Sequence, residues 1–139
     1  MTQQNITVTP IPFKDQGSFL SKFFGCEFAL DGQNGVFSFM WALADDYKGG
    51  RWKHFYLSNG GFYMAPVEQK TYYLKVRRQG FKGRVSSDAA GIVATVFTLN
   101  YLRGCTRGST EQRFASLTSN LLRFAEGHPD AVAILSAVG

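Results

Sequence analysis

Two adjacent glycines follow an asparagine in the segment YLSNGGFYMAP, and this turn constrains the fold more than any other part of the sequence. Residues alternate along the preceding segment, RWKHFYLSN, which places Trp52 and His54 on one face of a strand. Gly60 and Gly61 accept the positive φ angles that a two-residue hairpin turn requires. Asn59 belongs to the same turn, because asparagine tolerates the left-handed region or bonds its own backbone. The segment therefore predicts a tight antiparallel hairpin whose second strand is FYMAP.

Helical patterns precede this hairpin. Spacings of three and four residues place apolar side chains on one face of two successive helices. The first stripe consists of Phe19, Leu20, Phe23 and Phe24, and the second of Val36, Phe37, Met40, Leu43, Ala44 and Tyr47. Gly25 is expected to end the first helix, and Asn34 to cap the second. Gly49 and Gly50 then stop the second helix before the strands begin.

Further strands and helices follow the hairpin. The segment TYYLKVRR predicts a third strand. The segment RQGFKGRV predicts a turn that leads into a short fourth strand. Ser87 and Asp88 are expected to start a helix, Ser109–Gln112 to form a capping box for the next one, and Pro129 to open the last. The apolar stripes of the first two of these helices are Ile92, Val96, Leu99 and Leu102, and then Phe114, Leu117, Leu121 and Phe124.

These elements predict an α+β fold in one domain. A small antiparallel sheet of three to four strands, arranged as a meander, is packed with about four to five helices. Residues 1–12 are expected to form an extended N-terminal arm or edge strand, and residues 13–139 the domain itself. The length of 139 residues agrees, because two independent hydrophobic cores would be cramped.

Charge and composition exclude several classes of function. The net charge of +5 rules out a protein that imitates DNA, which must be strongly negative. No apolar run approaches the ~20 residues that a membrane span needs, and the N-terminus has no signal-peptide pattern. We therefore expect a cytoplasmic protein that does not contact membranes. Cys26 and Cys105 are expected to be reduced, buried and unpaired.

Catalytic and metal-binding patterns are weak. On a strand, Ser58 would lie roughly 13 Å from His54, too far for a nucleophile and its base. A zinc site would need its ligands at the close sequence spacing that is typical of such sites. This spacing is absent among the four candidate ligands, Cys26, His54, Cys105 and His128. Asp45 and Asp46 are neighbours at a helix end and point in different directions, which does not suit a shared-proton dyad. We predict no catalytic residue, no metal, no cofactor and no small-molecule substrate.

A basic stretch from Lys70 to Arg84 contains no acidic residue and carries interleaved aromatic side chains. Such a hairpin can follow phosphates and stack bases, so the stretch is a candidate nucleic-acid surface. The contact residues would be Lys75, Arg77, Arg78, Lys82 and Arg84. The alternative is an edge strand whose cations prevent edge-to-edge aggregation, and one apolar face of the strand favours that alternative.

Three longer segments occur in the order GGRWKHFYLSNGGFYMAP (Gly49–Pro66), GFKGRVSSDAAGIVATVFTLNYL (Gly80–Leu102) and LLRFAEGHPDAVAILSAV (Leu121–Val138). Together they resemble the ArdB/KlcA antirestriction family, over nearly the whole chain from about Phe13. The resemblance implies a compact α+β protein carried by plasmids and other mobile elements. It implies protection of incoming DNA from the host's type I restriction enzymes, with no enzymatic activity and no cofactor.

Departures from the family pattern lie in the first segment, at Arg51, Lys53, His54 and Tyr56, and they make this strand more basic. The expected partner is a host type I restriction complex or a host factor that controls it. Polar and aromatic residues crowd the end of the second helix and the start of the hairpin. We therefore expect the partner contacts there, at Asp45, Asp46, Tyr47, Arg51, Trp52 and Lys53. Direct DNA binding by the basic stretch remains the alternative.

Overall fold

The structure is a computed structural model that describes residues 5–139. The strands in that range are β1 (Val8–Pro10), β2 (Trp52–Leu57), β3 (Phe62–Pro66), β4 (Thr71–Val76) and β5 (Phe81–Ser86). The helices are α1 (Gln16–Phe24), α2 (Ala29–Leu43), α3 (Ser87–Gly104), α4 (Gly108–Glu126) and α5 (Ala131–Val138), with short 3-10 turns at Phe13–Asp15 and Arg77–Gln79. The predicted α+β class is confirmed. Residues 1–4 of the predicted arm lie outside the described residues.

The predicted hairpin is formed by β2 and β3, but its loop is one residue longer than expected. Leu57 N donates to the carbonyl oxygen of Gly61 at 2.9 Å, and Gly60 N donates to that of Leu57 at 3.0 Å. Three residues therefore lie in the loop. Gly60 has a φ of 91°, whereas Gly61 is outside the left-handed region, so the expected positive φ at Gly61 is wrong. A single left-handed glycine after a type I turn is typical of three-residue hairpins.

The five strands divide between two sheets, because helix α3 occupies the outer edge of β3. β1, β2 and β3 form one antiparallel sheet, and β4 pairs with β5 in another. Met64 N on β3 donates to Thr95 Oγ1 at 3.3 Å instead of to a further strand. Ser87 N, at the start of α3, donates to the carbonyl oxygen of Lys70 at 2.9 Å. The chain thus leaves the first sheet after β3, where the sequence suggested a continuous meander.

Helix α3 is the centre of the hydrophobic core and packs against α2, α4, α5 and β3. The four residues of its predicted stripe, Ile92, Val96, Leu99 and Leu102, are buried, which confirms that prediction. Gly91 faces β3 so closely that a Cβ atom there would lie 2.5 Å from the Cα of Ala65 and would overlap the carbonyl oxygen of Met64. The absence of a side chain at Gly91 therefore sets the distance between helix and sheet.

The second helix starts earlier and ends earlier than the sequence suggested. It begins at Ala29, so Asn34 lies inside the helix and does not cap it. Gly32 sits against the ring of Phe24, which lets α2 start directly after the turn that follows α1. The helix ends at Leu43, so Tyr47 lies beyond its last turn.

The starts of the last two helices also differ from the predictions. α4 begins at Gly108 without a side-chain cap, so the capping box at Ser109–Gln112 is wrong. α5 begins two residues after Pro129. The carboxylate of Asp130, at the cap position of α5, accepts a hydrogen bond from Ser86 N at 3.0 Å and does not cap its own helix. A tertiary contact therefore replaces the local cap.

Both cysteines are free and exposed, so the prediction that they are buried is wrong. Cys26 lies in the turn between α1 and α2, and Cys105 follows the last residue of α3, which leaves both outside the core. Among the described residues, none of the helices is both long enough and apolar enough to cross a bilayer.

Candidate partner-binding surface

The two acidic residues predicted to contact a partner are paired with the basic hairpin formed by β4 and β5. Asp45 Oδ2 lies 3.2 Å from Lys75 Nζ, and Asp46 Oδ2 lies 3.4 Å from Arg84 Nη1. The guanidinium group of Arg84 also lies over the ring of Tyr73, 5.9 Å from its centroid. The structure therefore brings together the two candidate surfaces that the sequence placed apart, and each partly neutralises the other.

Asp46 has a structural role at the edge of the second sheet. Both of its carboxylate oxygens lie 3.3 Å from Tyr73 N, on the side of β4 that faces away from β5. Ala44 forms an isolated antiparallel bridge with Leu74 on the same edge. Gln69 Nε2 donates to the carbonyl oxygen of Asp46 at 2.6 Å. The corner after α2 thus covers an edge that would otherwise expose free backbone groups.

The two aromatic residues of the predicted contact set are buried. Tyr47 is 5% exposed and Trp52 is 8% exposed. Trp52 Nε1 donates to the Tyr47 hydroxyl at 2.9 Å, which satisfies the indole N–H inside the core. Phe37 packs against Trp52, with ring centroids 5.3 Å apart. These positions support the fold and offer little surface to a partner.

Arg51 and Lys53 are exposed at the start of β2. Glu68 Oε2 accepts from the backbone N and the Nε atom of Arg51, at 2.9 and 3.1 Å. Its hydrogen bonds with Arg51 hold the pKa of the Glu68 carboxyl below its usual value. Arg51 lines a groove of about 440 Å³ that is also lined by Phe13, whose side chain is 87% exposed. Lys53, the other cation of the predicted set, forms no salt bridge with any acidic residue that the structure describes.

The remaining basic residues of the hairpin, Arg77, Arg78 and Lys82, are exposed, and no acidic group within residues 5–139 forms a salt bridge with them. Lys82 stands directly opposite Lys75 in the β4–β5 register. Like charges opposite each other destabilise a strand pair, and Asp45 relieves this repulsion from the Lys75 side. Of the five predicted nucleic-acid contacts, three therefore carry a charge that no acidic residue in the described part of the chain neutralises.

Beside this hairpin lies a groove of about 370 Å³, here called the aromatic groove, between α2, α3 and the end of β4. It is lined by Phe39, Ala42, Leu43, Asp45, Lys75, Val76, Arg77, Arg78 and Phe97. The rings of Phe39 and Phe97 are stacked on each other, with centroids 5.7 Å apart. Tyr101, which is 61% exposed, continues the aromatic surface along α3.

The floor of the aromatic groove was missed in the sequence. Phe39 lies beside the buried positions Val36 and Met40 on α2, and Phe97 beside Val96 on α3. The sequence nevertheless indicated this aromatic surface. Each phenylalanine is next to an apolar stripe on its helix, and that stripe forms a core-facing side without it. An aromatic residue adjacent to a stripe widens the apolar face beyond what the core covers.

A second polar cluster missed in the sequence joins β3, α3 and the loop before α5. The Tyr63 hydroxyl donates to Asp88 Oδ1 at 2.8 Å, and His128 Nε2 lies 2.8 Å from Asp88 Oδ2. Asp130 N donates to His128 Nδ1 at 2.9 Å, so the ring proton of neutral His128 is on Nε2 and is donated to Asp88. Burial, followed by the negative charge of Asp88, raises the pKa of Tyr63. The cluster fastens three elements together.

His54 is buried, 4% exposed, and packs edge-on against Phe19. Within residues 5–139, neither ring nitrogen of His54 has a hydrogen-bond partner. Burial lowers the pKa of His54 to about 4, because the charged ring would be poorly solvated. In the same part of the chain, no three His, Cys, Asp or Glu side chains are grouped closely enough to hold a metal ion.

Comparison with known proteins gives consistent results. A family model described as "Antirestriction protein" matches residues 45–139. Two proteins named antirestriction protein KlcA, both from Escherichia coli, are 35% and 39% identical to this chain. The first alignment covers 97% of this chain and 96% of the relative, and the second covers 96% and 93%.

A solved structure also matches, with a TM-score of 0.92 and 34% sequence identity. The match covers 100% of this chain and 99% of the solved one. That structure comes from a study of the KlcA and ArdB proteins, which are described there as having a novel fold. They are also described as having antirestriction activity against type I DNA restriction systems in vivo but not in vitro.

Proposed function

Because this chain belongs to the ArdB/KlcA antirestriction protein family, we propose that it protects the DNA of an incoming mobile element from the host's type I restriction enzymes. The protection is non-enzymatic and acts through protein contacts. The observation that carries the proposal is the match of this fold, at a TM-score of 0.92, to a solved structure from the study of KlcA and ArdB.

The charge of the chain supports a mechanism other than imitation of DNA. The net charge is +5, and the exposed hairpin carries Arg77, Arg78 and Lys82 without acidic partners among the described residues. A decoy that displaces DNA from a restriction enzyme needs the opposite charge. The partner is therefore a restriction complex or a host protein that controls it. Activity of KlcA and ArdB in vivo but not in vitro supports a requirement for a further cellular component.

The experiment is a phage plating assay. Unmodified phage is plated on a host with an active type I system, with the protein expressed or with its gene interrupted by a stop codon. We expect a higher plating efficiency with the protein present, and no difference on a host that lacks the restriction nuclease. Equal plating with and without the protein on the restricting host would refute the proposal.

A nucleic-acid-binding module is the second candidate, because five exposed cations lie on one hairpin and three of them form no salt bridge within residues 5–139. The pairing of Lys75 with Asp45 and of Arg84 with Asp46 weighs against it, since a phosphate would have to displace each carboxylate. Phosphate contacts make binding fall steeply as salt rises. A gel-shift titration at low and moderate salt tests this candidate, and a complex that persists at low salt and disappears at moderate salt would support it.

A further inference from the structure

We propose that the aromatic groove binds an acidic protein segment that inserts one large apolar side chain, and that this segment belongs to the partner of antirestriction. The statement that the segment belongs to the partner of antirestriction rests on the proposed function. The statement that the groove binds an acidic segment with an apolar anchor rests on the chemistry of the groove alone.

The floor of the groove selects an apolar side chain. Phe39 and Phe97 present stacked rings, and Leu43 and Val76 complete the lining. Both phenylalanines are only half-buried, although Val36 and Met40 on α2 and the whole predicted stripe on α3 are buried. The volume of about 370 Å³ lies in the range of pockets that enclose ligand groups. Buried aromatic or aliphatic anchors in such pockets dominate the energy of many protein interfaces.

The rim of the groove selects acidic neighbours for that anchor. Arg77 and Arg78 are consecutive, exposed and without a salt bridge to any acidic residue in the described part of the chain. Guanidinium groups bind carboxylates through paired hydrogen bonds, which gives both strength and orientation. The lining also includes Lys75, which Asp45 already engages at 3.2 Å. Among the described residues that line the groove, the positive charge without an acidic partner is therefore that of the two arginines.

A protein segment fits the groove better than a nucleic acid does. The Asp45 side chain is 85% exposed and belongs to the groove lining, so it repels any anion placed beside it. A phosphate backbone carries charge at every nucleotide and would have to pass this carboxylate, whereas a peptide can place its carboxylates only beside Arg77 and Arg78. Single-stranded nucleic acids also bind along a positively charged track with aromatic platforms for successive bases. Here two aromatic rings lie together in one recess, which suits one inserted side chain with carboxylates on one flank.

The role of the groove is tested by charge reversal in the plating assay. R77E/R78E is compared with R107E/R123E, a control that changes net charge equally at two exposed arginines outside the groove lining. Thermal unfolding of both variants checks that they remain folded. We expect the groove variant to lose rescue about tenfold or more, and the control to rescue like the original chain. Equal rescue by both variants would overturn the inference while leaving the proposed function in place.

The chemical class of the partner is tested by fluorescence anisotropy with the purified protein. The probe is a labelled peptide of aspartate and glutamate residues around one tryptophan. Comparison ligands are the same peptide with alanine at the centre and a single-stranded oligothymidylate. We expect the tryptophan peptide to bind about tenfold more tightly than the alanine peptide, and R77E/R78E but not R107E/R123E to weaken it.

Two results of that measurement would overturn the assignment. One is the same affinity for the tryptophan peptide in both variants, and the other is tighter, Arg77- and Arg78-dependent binding of the oligothymidylate. If the original chain gives no phage rescue at all, the proposed function fails, and the peptide measurement alone decides whether the groove has the stated specificity.

Discussion

Gly91 on α3 lies directly against the carbonyl oxygen of Met64 on β3, with no space for a side chain between them. A Cβ atom at Gly91 would also lie 2.8 Å from the Cβ of Ala65. The nearest atom is the carbonyl oxygen of Met64, and the backbone N–H of the same residue donates to Thr95 Oγ1 on α3. The helix and the strand therefore cannot move apart independently at this point. The helix–sheet distance at this point is fixed by one missing methyl group.

We expect Gly91→Ala to destabilise the protein by about 2–4 kcal/mol, although alanine is the better helix former, because overlap with backbone cannot be relieved by a rotamer change. Gly104→Ala is the matched control, since it lies in the same helix and a Cβ there has no neighbour within 4 Å. The control should be neutral or slightly stabilising. Urea unfolding of both variants measures the difference, and equal stabilities would show that the close contact is misassigned.

The hairpin loop provides the second prediction. Gly60 holds a φ of 91°, whereas Gly61 does not need positive φ. Gly60→Val should therefore cost about 1–3 kcal/mol through backbone strain. Gly61→Val should be destabilising for a different reason, because its Cβ would lie 3.1 Å from the Cβ of Asn120. Combining Gly61→Val with Asn120→Gly should restore part of the lost stability, whereas Gly60→Val should gain nothing from the same second change. Melting temperatures of the four variants test this.

The third prediction concerns pH. The pKa of His54 is about 4 in the folded chain and about 6.5 in an unfolded one, so the unfolded state binds more protons between these values. Stability from this residue is complete above about pH 6.5 and is lost as the pH falls toward 4. From pH 7 to pH 5 the loss amounts to about 2 kcal/mol. His54→Phe should remove this contribution.

The measurement is urea unfolding of the original chain and of His54→Phe at pH 7 and pH 5. Every other ionisable side chain is common to the two proteins, so only the difference between their pH effects is compared. A variant that loses as much stability on acidification as the original chain would contradict the assignment to His54.

The fourth prediction separates folding from partner contact at the start of β2. Trp52→Ala should cost about 3–5 kcal/mol, because the side chain is buried and its N–H is bonded to Tyr47. Any loss of phage rescue by this variant should follow its loss of stability. Arg51→Ala should leave the melting temperature nearly unchanged, since its ion pair with Glu68 is exposed. A fall in rescue with Arg51→Ala at unchanged melting temperature would place a partner contact in the groove beside Phe13.

Local patterns in the sequence account for much of the fold. The stripe at Ile92, Val96, Leu99 and Leu102 predicted the buried helix α3. This prediction was possible because a helical period is recognised from residues that are only three or four positions apart. The division into two sheets could not be predicted in this way. The division depends on contacts of Gly91 and Thr95 with the edge of β3, and these residues are distant from β3 in the sequence. The residue pattern of a strand does not show which of its edges a helix will cover.

The candidate surface was less predictable for the same reason. Asp45 and Asp46 looked like free charges, but their partners Lys75 and Arg84 lie 30 and 38 residues away. Trp52 was expected at the surface, because no hydrogen-bond partner for a buried indole N–H was evident in the sequence. The partner is the hydroxyl of Tyr47, a residue that was expected on a helix. Sequence periodicity reports burial of an element's face, whereas pairing of individual polar groups depends on tertiary position.

The tip of the hairpin has a consequence for the order of folding. Asn59 Oδ1 accepts from Gly61 N at 3.0 Å, while its Nδ2 donates to the carbonyl oxygen of Asn120 at 2.8 Å, across 61 residues of chain. During synthesis on the ribosome, the loop that looks most local in the sequence therefore has to wait for α4 before its last hydrogen bond can form. Contacts of such long range slow folding. A nascent chain that stops before Asn120 would present the β2–β3 hairpin without the helix that secures its tip.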